Sequence, residues 1–408
     1  MEDFERSAVP HERTLSWQHI SLVYIGVAIT IPAFLLVANV ALSLGYVQAL
    51  LAIVLSSIVL SVFGMLSGAV GAKTNLSSYM IIAQVFGEKG GKVINLLFAV
   101  TLAGWFGVTL SFFAQAADSI FNWNYQYWLG VGTVLMVLTA IYGFKGLHLF
   151  SLVSVPVMLL FLYVFSFFLL KDISFADIVS IKGNENISFG SAVSMLVGGM
   201  MVGVAIFPDL TRYTKSVKDG VIAGATSFMS VILFALPIMI PILYYQQDNI
   251  VDIVQNTGYT LCALLLIIFA SWSSNDNNLY SGALSLVAVF KNISKKVIVL
   301  AIAFLGYICS AADITGSFIA FLVFLGAIIP PIAAIYTVDF FIGHYKKYVG
   351  EVNRKAVFSW ILGGIFAFLT TPEENHGAGV FVLTTIPALD GYLLSGGIYY
   401  LFCRYGRH

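Results

Sequence analysis

Residues 28–36 read AITIPAFLL and residues 195–210 read MLVGGMMVGVAIFPDL, and this pair decides the fold. Each stretch sits in the middle of an apolar run long enough to cross a bilayer. Pro32 removes a backbone donor and frees the carbonyl of Ala28, while Gly198, Gly199 and Gly203 allow a backbone to unwind. Open amides and carbonyls at mid-membrane are unfavourable unless they line a protein cavity or bind something. Taken singly, each feature also reads as an ordinary proline kink or a glycine packing face. The two lie five spans apart, however, and interrupted helices at corresponding positions of two halves mark transporters built from inverted repeats. The expectation is a 5+5 inverted repeat with helices 1 and 6 broken.

Around that pair the chain is apolar throughout. With 59% hydrophobic and 10% charged residues, and a mean hydropathy of +0.94, its 408 residues describe a polytopic membrane protein and not a water-soluble domain. The connections are too short to build a soluble core, and the runs do not alternate as barrel strands do, so the fold class is all-α integral membrane. Splitting the runs at charged residues and at Gly, Pro or Asn predicts twelve transmembrane helices: 19–44, 49–71, 93–118, 126–143, 147–170, 189–211, 219–245, 258–289, 296–311, 314–342, 356–371 and 387–403. The domain organisation is a cytoplasmic tail over 1–18, one transmembrane domain over 19–403 and a cytoplasmic C-terminus over 404–408. Repeat one covers 19–170, repeat two 189–342, and two extra C-terminal helices 356–403. With both termini inside, all of the 20 Lys and Arg except Lys171 and Lys182 fall on the cytoplasmic side, a bias that one missed span would destroy. The tail is mixed in charge and shows no signal peptide. Cys262, Cys309 and Cys403 fall inside spans, so no disulfide framework is expected.

The segment WSSNDNNL, 272–279, places two serines, three asparagines and an aspartate in one of the most apolar stretches. At helical spacing it is polar all round, so only burial among other helices shields it from lipid. Asp276 is the one acidic residue placed deep in the membrane, either a protonated or paired hydrogen-bond hub or a proton site. The Ser273 and Ser274 hydroxyls suit a small hard cation, or they bond their own backbone. In TLAGWFGVTLSFFAQ, Trp105 lies near mid-span between Gly104 and Gly107, where it is either a packing residue or a stacking platform for a flat ligand.

GWFG around Trp105, FPDLTRYTKS from Phe207 and SWSSNDNNLYSGAL from Ser271, together with GAKT at 71–74 and IPP at 329–331, resemble in order and spacing the nucleobase:cation symporter family, in its purine/cytosine permease branch. The resemblance implies twelve helices in the leucine-transporter-like inverted-repeat fold. It also implies that Trp105 stacks on the base, that Asn275 hydrogen-bonds it, and that Thr30 and Ile31 at the break of helix 1 lie beside it. It implies a sodium position made of the Ser273 and Ser274 hydroxyls with the carbonyls of Gly26, Ile29 and Ala270. Two positions depart from the pattern: a cytosine-reading glutamine is replaced by Leu102, and a phenylalanine of span 6 by Met200 or Gly199. A lost hydrogen bond to a buried ligand edge costs about 1–3 kcal/mol, so hydroxymethylpyrimidine, hydantoin and purine stand beside cytosine as candidates.

Asp209 and Arg212, after span 6, form either a gate or a helix end with basic anchors. All six histidines fall in tails, loops or span ends, which disfavours a mid-membrane metal or histidine relay. An enzyme would need a second acid or base beside Asp276, and none is in view. The expected activity is symport of a nucleobase-like molecule into the cell across the inner membrane. Na+ is the coupling ion, or H+ through Asp276; no nucleic-acid partner is indicated, and the sequence is compatible with a monomer without fixing the oligomeric state.

Overall fold

The computed structural model describes residues 4–171, 173–343, 348–373 and 376–405. Lys346, Lys347 and Arg407 of the charge pattern, with His344 and His408, lie outside the described residues. The helices in chain order are α1 (Trp17–Ala28), α2 (Ile31–Thr74), α3 (Ser78–Phe86), α4 (Glu88–Phe121), α5 (Tyr125–Ala140) and α6 (Phe144–Leu169). They continue with α7 (Phe175–Ser180), α8 (Phe189–Ile206), α9 (Pro208–Thr211), α10 (Val217–Met229), α11 (Val231–Tyr245) and α12 (Ile250–Asn256). The last are α13 (Thr260–Val289), α14 (Lys295–Ala311), α15 (Phe318–Phe341), α16 (Arg354–Thr370) and α17 (Pro387–Tyr405). Among the described residues, six helical stretches of at least 18 residues are apolar enough to span a bilayer. Shorter helices, or helices such as α13 with a polar centre, carry the other predicted runs.

The first predicted break is present. α1 stops at Ala28, Ile29 (ψ 89°) and Thr30 (ψ 157°) leave helical geometry, and Thr30 Oγ1 accepts a hydrogen bond from Ala33 N at 3.0 Å to cap α2. Pro32 lies in the first turn of α2, where its missing N–H interrupts nothing within that helix. The second predicted break is not where the glycines stand. α8 runs unbroken through Gly198, Gly199 and Gly203, and the interruption falls at Phe207, before the short α9. Two of those glycines serve close approach instead: a Cβ on Gly203 would lie 2.3 Å from Tyr24 Oη and one on Gly199 would lie 3.0 Å from Leu36 Cδ1, while one on Gly198 would meet nothing within 4 Å.

Glycine also sets the closest helix contact. Gly64 and Gly68 on α2 face Gly220 and Gly224 on α10; a Cβ on Gly224 would lie 2.2 Å from Gly64 O, and one on Gly68 would lie 2.4 Å from Gly220 O. Both pairs are spaced by four, the small-residue pattern that lets membrane helices touch backbone to backbone. Gly45, inside α2, adopts φ 73° and turns the chain from the end of the first run into the second. α13 runs through the middle of the molecule against α1, α4, α5 and α6. All six residues from Ser273 to Asn278 are buried, so the polar segment is shielded on every face.

Candidate transport site

A cavity of about 70 Å³ lies where the α1–α2 break meets α4, α8 and α13. Tyr24, Val27, Ala28 and Thr30 line it from the first part of the broken helix, and Pro32, Ala33 and Leu36 from the second. Leu102, Trp105 and Thr109 come from α4, Gly199, Met200, Val202, Gly203 and Ile206 from α8, and Ser274, Asn277 and Asn278 from α13. One wall is therefore apolar and the α13 wall is polar. No Asp, Glu, Lys, Arg or His lines the cavity.

Trp105 is half-buried, and its ring meets Phe318 and Phe321 of α15 edge-on, with centroids 6.0 and 5.6 Å away. The neighbouring glycines do not open space beside it. A Cβ on Gly104 would lie 2.8 Å from the Phe321 ring, and one on Gly107 would lie 2.7 Å from Gly306 O, so both serve helix packing. Leu102, Met200, Gly199 and Thr30 line the cavity; Ile31 is buried beside the break and does not.

Asn275 departs from its expected place. Its side chain is fully buried, with Nδ2 donating to Phe106 O at 3.2 Å and to Met136 Sδ at 3.1 Å, and it does not line the cavity. Asn277 and Asn278 are the amides in the wall. Asn277 Oδ1 and Thr109 Oγ1 are buried with no protein partner among the described residues. The signal for Thr109 was available, because it lies four residues after Trp105 on the same helix face.

Ser273 Oγ lies 2.7 Å from both Gly26 O and Phe269 O, bridging α13 to the last turn of α1. The end of α1 leaves its last carbonyls short of helical partners, and Ala28 loses its usual donor to Pro32. The structure thus brings Ser273 to Gly26 at the break, with Ser274 lining the cavity, Ile29 as the C-cap of α1 and Ala270 buried one turn before Ser274. Three or more His, Cys, Asp or Glu side chains do not gather anywhere among the described residues. Such an all-oxygen, uncharged set suits a monovalent hard cation better than a transition metal.

Asp276 is also buried and away from the cavity. Its Oδ1 accepts from Thr139 Oγ1, which in turn accepts from Trp272 Nε1 at 2.7 Å, so the carboxyl ties α13 to α5. Asp209 and Arg212 are fully buried on α9 and the residue after it. Asp209 Oδ1 accepts from Ser78 N (2.9 Å) and Ser78 Oγ (2.6 Å). Arg212 donates to Phe4 O (2.9 Å), Tyr213 Oη (3.1 Å) and Tyr280 Oη (2.7 Å), joining α9, α13 and the N-terminal segment. His19 and His148, far apart in sequence, meet at 3.0 Å between α1 and α6.

The family profile described as "Permease for cytosine/purines, uracil, thiamine, allantoin" matches residues 8–386. The chain belongs to this family. It is a multi-pass membrane protein of a family of transporters, not of enzymes. Among members, it is 22% identical to the cytosine permease of Escherichia coli K12 over 362 residues, 88% of this chain and 86% of that protein. It is 21% identical to the hydantoin permease of Microbacterium maritypicum, covering 82% of this chain and 75% of that one. Its fold matches that of Mhp1, a nucleobase-cation-symport-1 family transporter in a closed conformation with bromovinylhydantoin bound. That match has a TM-score of 0.81 at 20% identity and covers 98% of this chain and 94% of that one.

Proposed function

We propose that the protein is a secondary active symporter that imports a small, neutral, planar heterocycle, a nucleobase or a close relative, together with Na+. The observation that carries this is the cavity itself: an aromatic platform at Trp105 facing an uncharged amide and hydroxyl wall from Ser274, Asn277 and Asn278. A ring stacked on Trp105 presents its polar edge to that wall. On the measure by which one water needs roughly 10–15 Å³, the cavity holds a few waters' worth of ligand, the scale of a base and not of a nucleoside. The names of its relatives, cytosine and hydantoin permeases, support the same class.

Sodium binds at Ser273, Ser274 and the carbonyls of Gly26, Ile29 and Ala270. The contact of Ser273 with Gly26 supports this, because a cation there would hold α1 to α13 and so set the broken helix for ligand. Coupling is reciprocal, so ligand tightens sodium by the same factor. The architecture is twelve spans, two inverted repeats of five over 19–170 and 189–342 and two further helices, with both termini in the cytoplasm of a cell bounded by this inner membrane. The bundle of spans 1, 2, 6 and 7 rocks against the rest, with Arg212 and Asp209 closing the cytoplasmic side. Proton coupling through Asp276 is the weaker reading, since that carboxyl is engaged with Thr139 outside the cavity.

Uptake by purified protein in proteoliposomes decides the matter. Labelled cytosine, uracil, hypoxanthine and hydantoin are offered under Na+, K+ or proton gradients. Accumulation of at least one under inward Na+ alone is expected. Accumulation of none under any gradient would overturn the function; uptake indifferent to Na+ would overturn only the ion.

A further inference from the structure

The hydrogen bonds around α13 give Asn275 a task other than touching the ligand. We propose that Asn275 is a positioning residue that fixes which end of the Asn278 amide faces the cavity, and so makes the α13 wall an acceptor for ligand N–H groups. The inference rests on the function proposed above.

A carboxamide has two ends of nearly the same shape, and only its partners decide which way it points. The partners of Asn275 Nδ2 are the Phe106 carbonyl at 3.2 Å and the Met136 thioether at 3.1 Å, both acceptors with no proton to give. Reversing the amide would set its oxygen against both. Its Oδ1 therefore faces Asn278, whose Nδ2 donates to it at 3.0 Å. With its nitrogen end turned to Asn275, the Asn278 amide keeps one further N–H, and its oxygen is the end turned away from Asn275, on a residue that lines the cavity. Beside it, Asn277 also lines the cavity, and its buried Oδ1 has no protein partner among the described residues. An acceptor on this wall, where no charged residue lines the cavity, calls for a donor from the ligand, since a buried acceptor without a donor is unfavourable. The matching chemistry is a ring edge carrying N–H groups: a lactam, a ureide or an amino-substituted edge. Phe106 follows Trp105 on α4, so the same bond also holds the polar wall in register with the stacking platform.

The test is competition for Na+-driven uptake by cytosine, uracil, hypoxanthine and hydantoin. Each is set against analogues in which a ring N–H is methylated or replaced by C–H. In the wild-type protein, at least one N–H of the transported ring is indispensable, its loss weakening competition by about a hundredfold or more, as expected where a buried polar site loses its partner. In Asn275→Ala the Asn278 amide is free to turn. KM for the parent ring rises by about tenfold or more, Vmax stays within about threefold, and discrimination against the C–H analogue shrinks to about tenfold. A residue that only supported packing would lower the amount of folded transporter and Vmax and leave KM and that discrimination unchanged, which would overturn the proposal. So would wild-type protein that takes every N–H-deficient analogue as well as its parent, a measurement that needs no variant. Failure of all the parent rings to bind is a different signature and overturns the proposed function, and this inference with it.

Discussion

Ser273 stands where ligand chemistry and helix architecture meet, its hydroxyl 2.7 Å from the Gly26 carbonyl across α1 and α13. A hydroxyl that coordinates a cation contributes as a hydrogen bond to a charged group does, about 1.5–3 kcal/mol. Ser273→Ala is therefore expected to raise the Na+ concentration for half-maximal uptake by roughly 10–100-fold, while Ser273→Thr, which keeps the hydroxyl, changes it little. A Na+ activation curve unmoved by the alanine would remove this residue from the ion site. For Trp105→Ala, loss of stacking, about 0.5–1.5 kcal/mol beyond buried area, predicts ligand binding weakened by at least about tenfold, read by calorimetry on the detergent-solubilised protein. A Trp that merely packs against Phe318 and Phe321 would instead lower the melting temperature with affinity kept. At this scale the sequence shows that 272–279 is a buried polar segment, because no other arrangement tolerates six polar residues in hydrocarbon. Which of them faces the cavity depends on the rotation of α13 against α4 and α5, and that rotation is set by tertiary partners such as Phe106 and Met136. Hence Asn275, which the family resemblance makes a ligand contact, is bonded to Asn278 and does not line the cavity.

The helices show why one break is legible and the other is not. Thr30 and Pro32 act locally, one as a cap and one as a missing donor, so their effect does not depend on what packs nearby. Glycine is ambiguous, because the same missing Cβ permits unwinding and close packing alike. The two uses separate on mutation. A Cβ on Gly198 meets nothing within 4 Å, so Gly198→Ala in the continuous α8 is expected to stabilise by about 0.5–1 kcal/mol and to keep most uptake. A Cβ on Gly224 would lie 2.2 Å from the Gly64 carbonyl, which is backbone and has no rotamer to yield. Gly224→Ala must separate α2 from α10, at a cost typical of overpacking, about 1–3 kcal/mol or more, seen as a lower melting temperature in detergent. If α8 relied on unwinding at its glycines, Gly198→Ala would be the harmful substitution and this order would reverse. The paired spacing of Gly64 with Gly68 and of Gly220 with Gly224 is visible in the chain, but that they face one another is not.

For the whole molecule the decisive contacts cross between groups of helices that the rocking proposed above would separate. α9 continues the run of α8, α13 belongs to the opposite group, and Arg212 donates to Tyr280 across them at 2.7 Å. The N-terminal segment adds to the closure: Phe4 O takes a bond from Arg212, Val9 N bonds Asn75 O at 3.0 Å, and Leu15 pairs with Tyr213 and Lys215 at 2.6 and 3.1 Å. Arg6 reaches Ile293 O at 3.2 Å beside the start of α14. A segment that composition marks as a tail is thus laid over the end of the bundle at α9, held by backbone bonds that carry no sequence signature. Tyr280→Phe removes one acceptor of Arg212, the one on α13, and keeps the ring on which Lys295 rests at 5.0 Å. Losing a hydrogen bond to a charged group shifts a two-state equilibrium by about 1.5–3 kcal/mol, roughly 10–100-fold towards the form in which that bond is already broken. In the mechanism proposed above, that form is the one open to the cytoplasm. With Cys262, Cys309 and Cys403 replaced and Ile206→Cys placed in the cavity wall, alkylation from the cytoplasmic side is expected to quicken in Tyr280→Phe by a similar factor. Added Na+ and ligand restore slow labelling only if they favour the closed form. Equal labelling rates with and without the phenolic oxygen would mean that Arg212 braces a helix end and gates nothing.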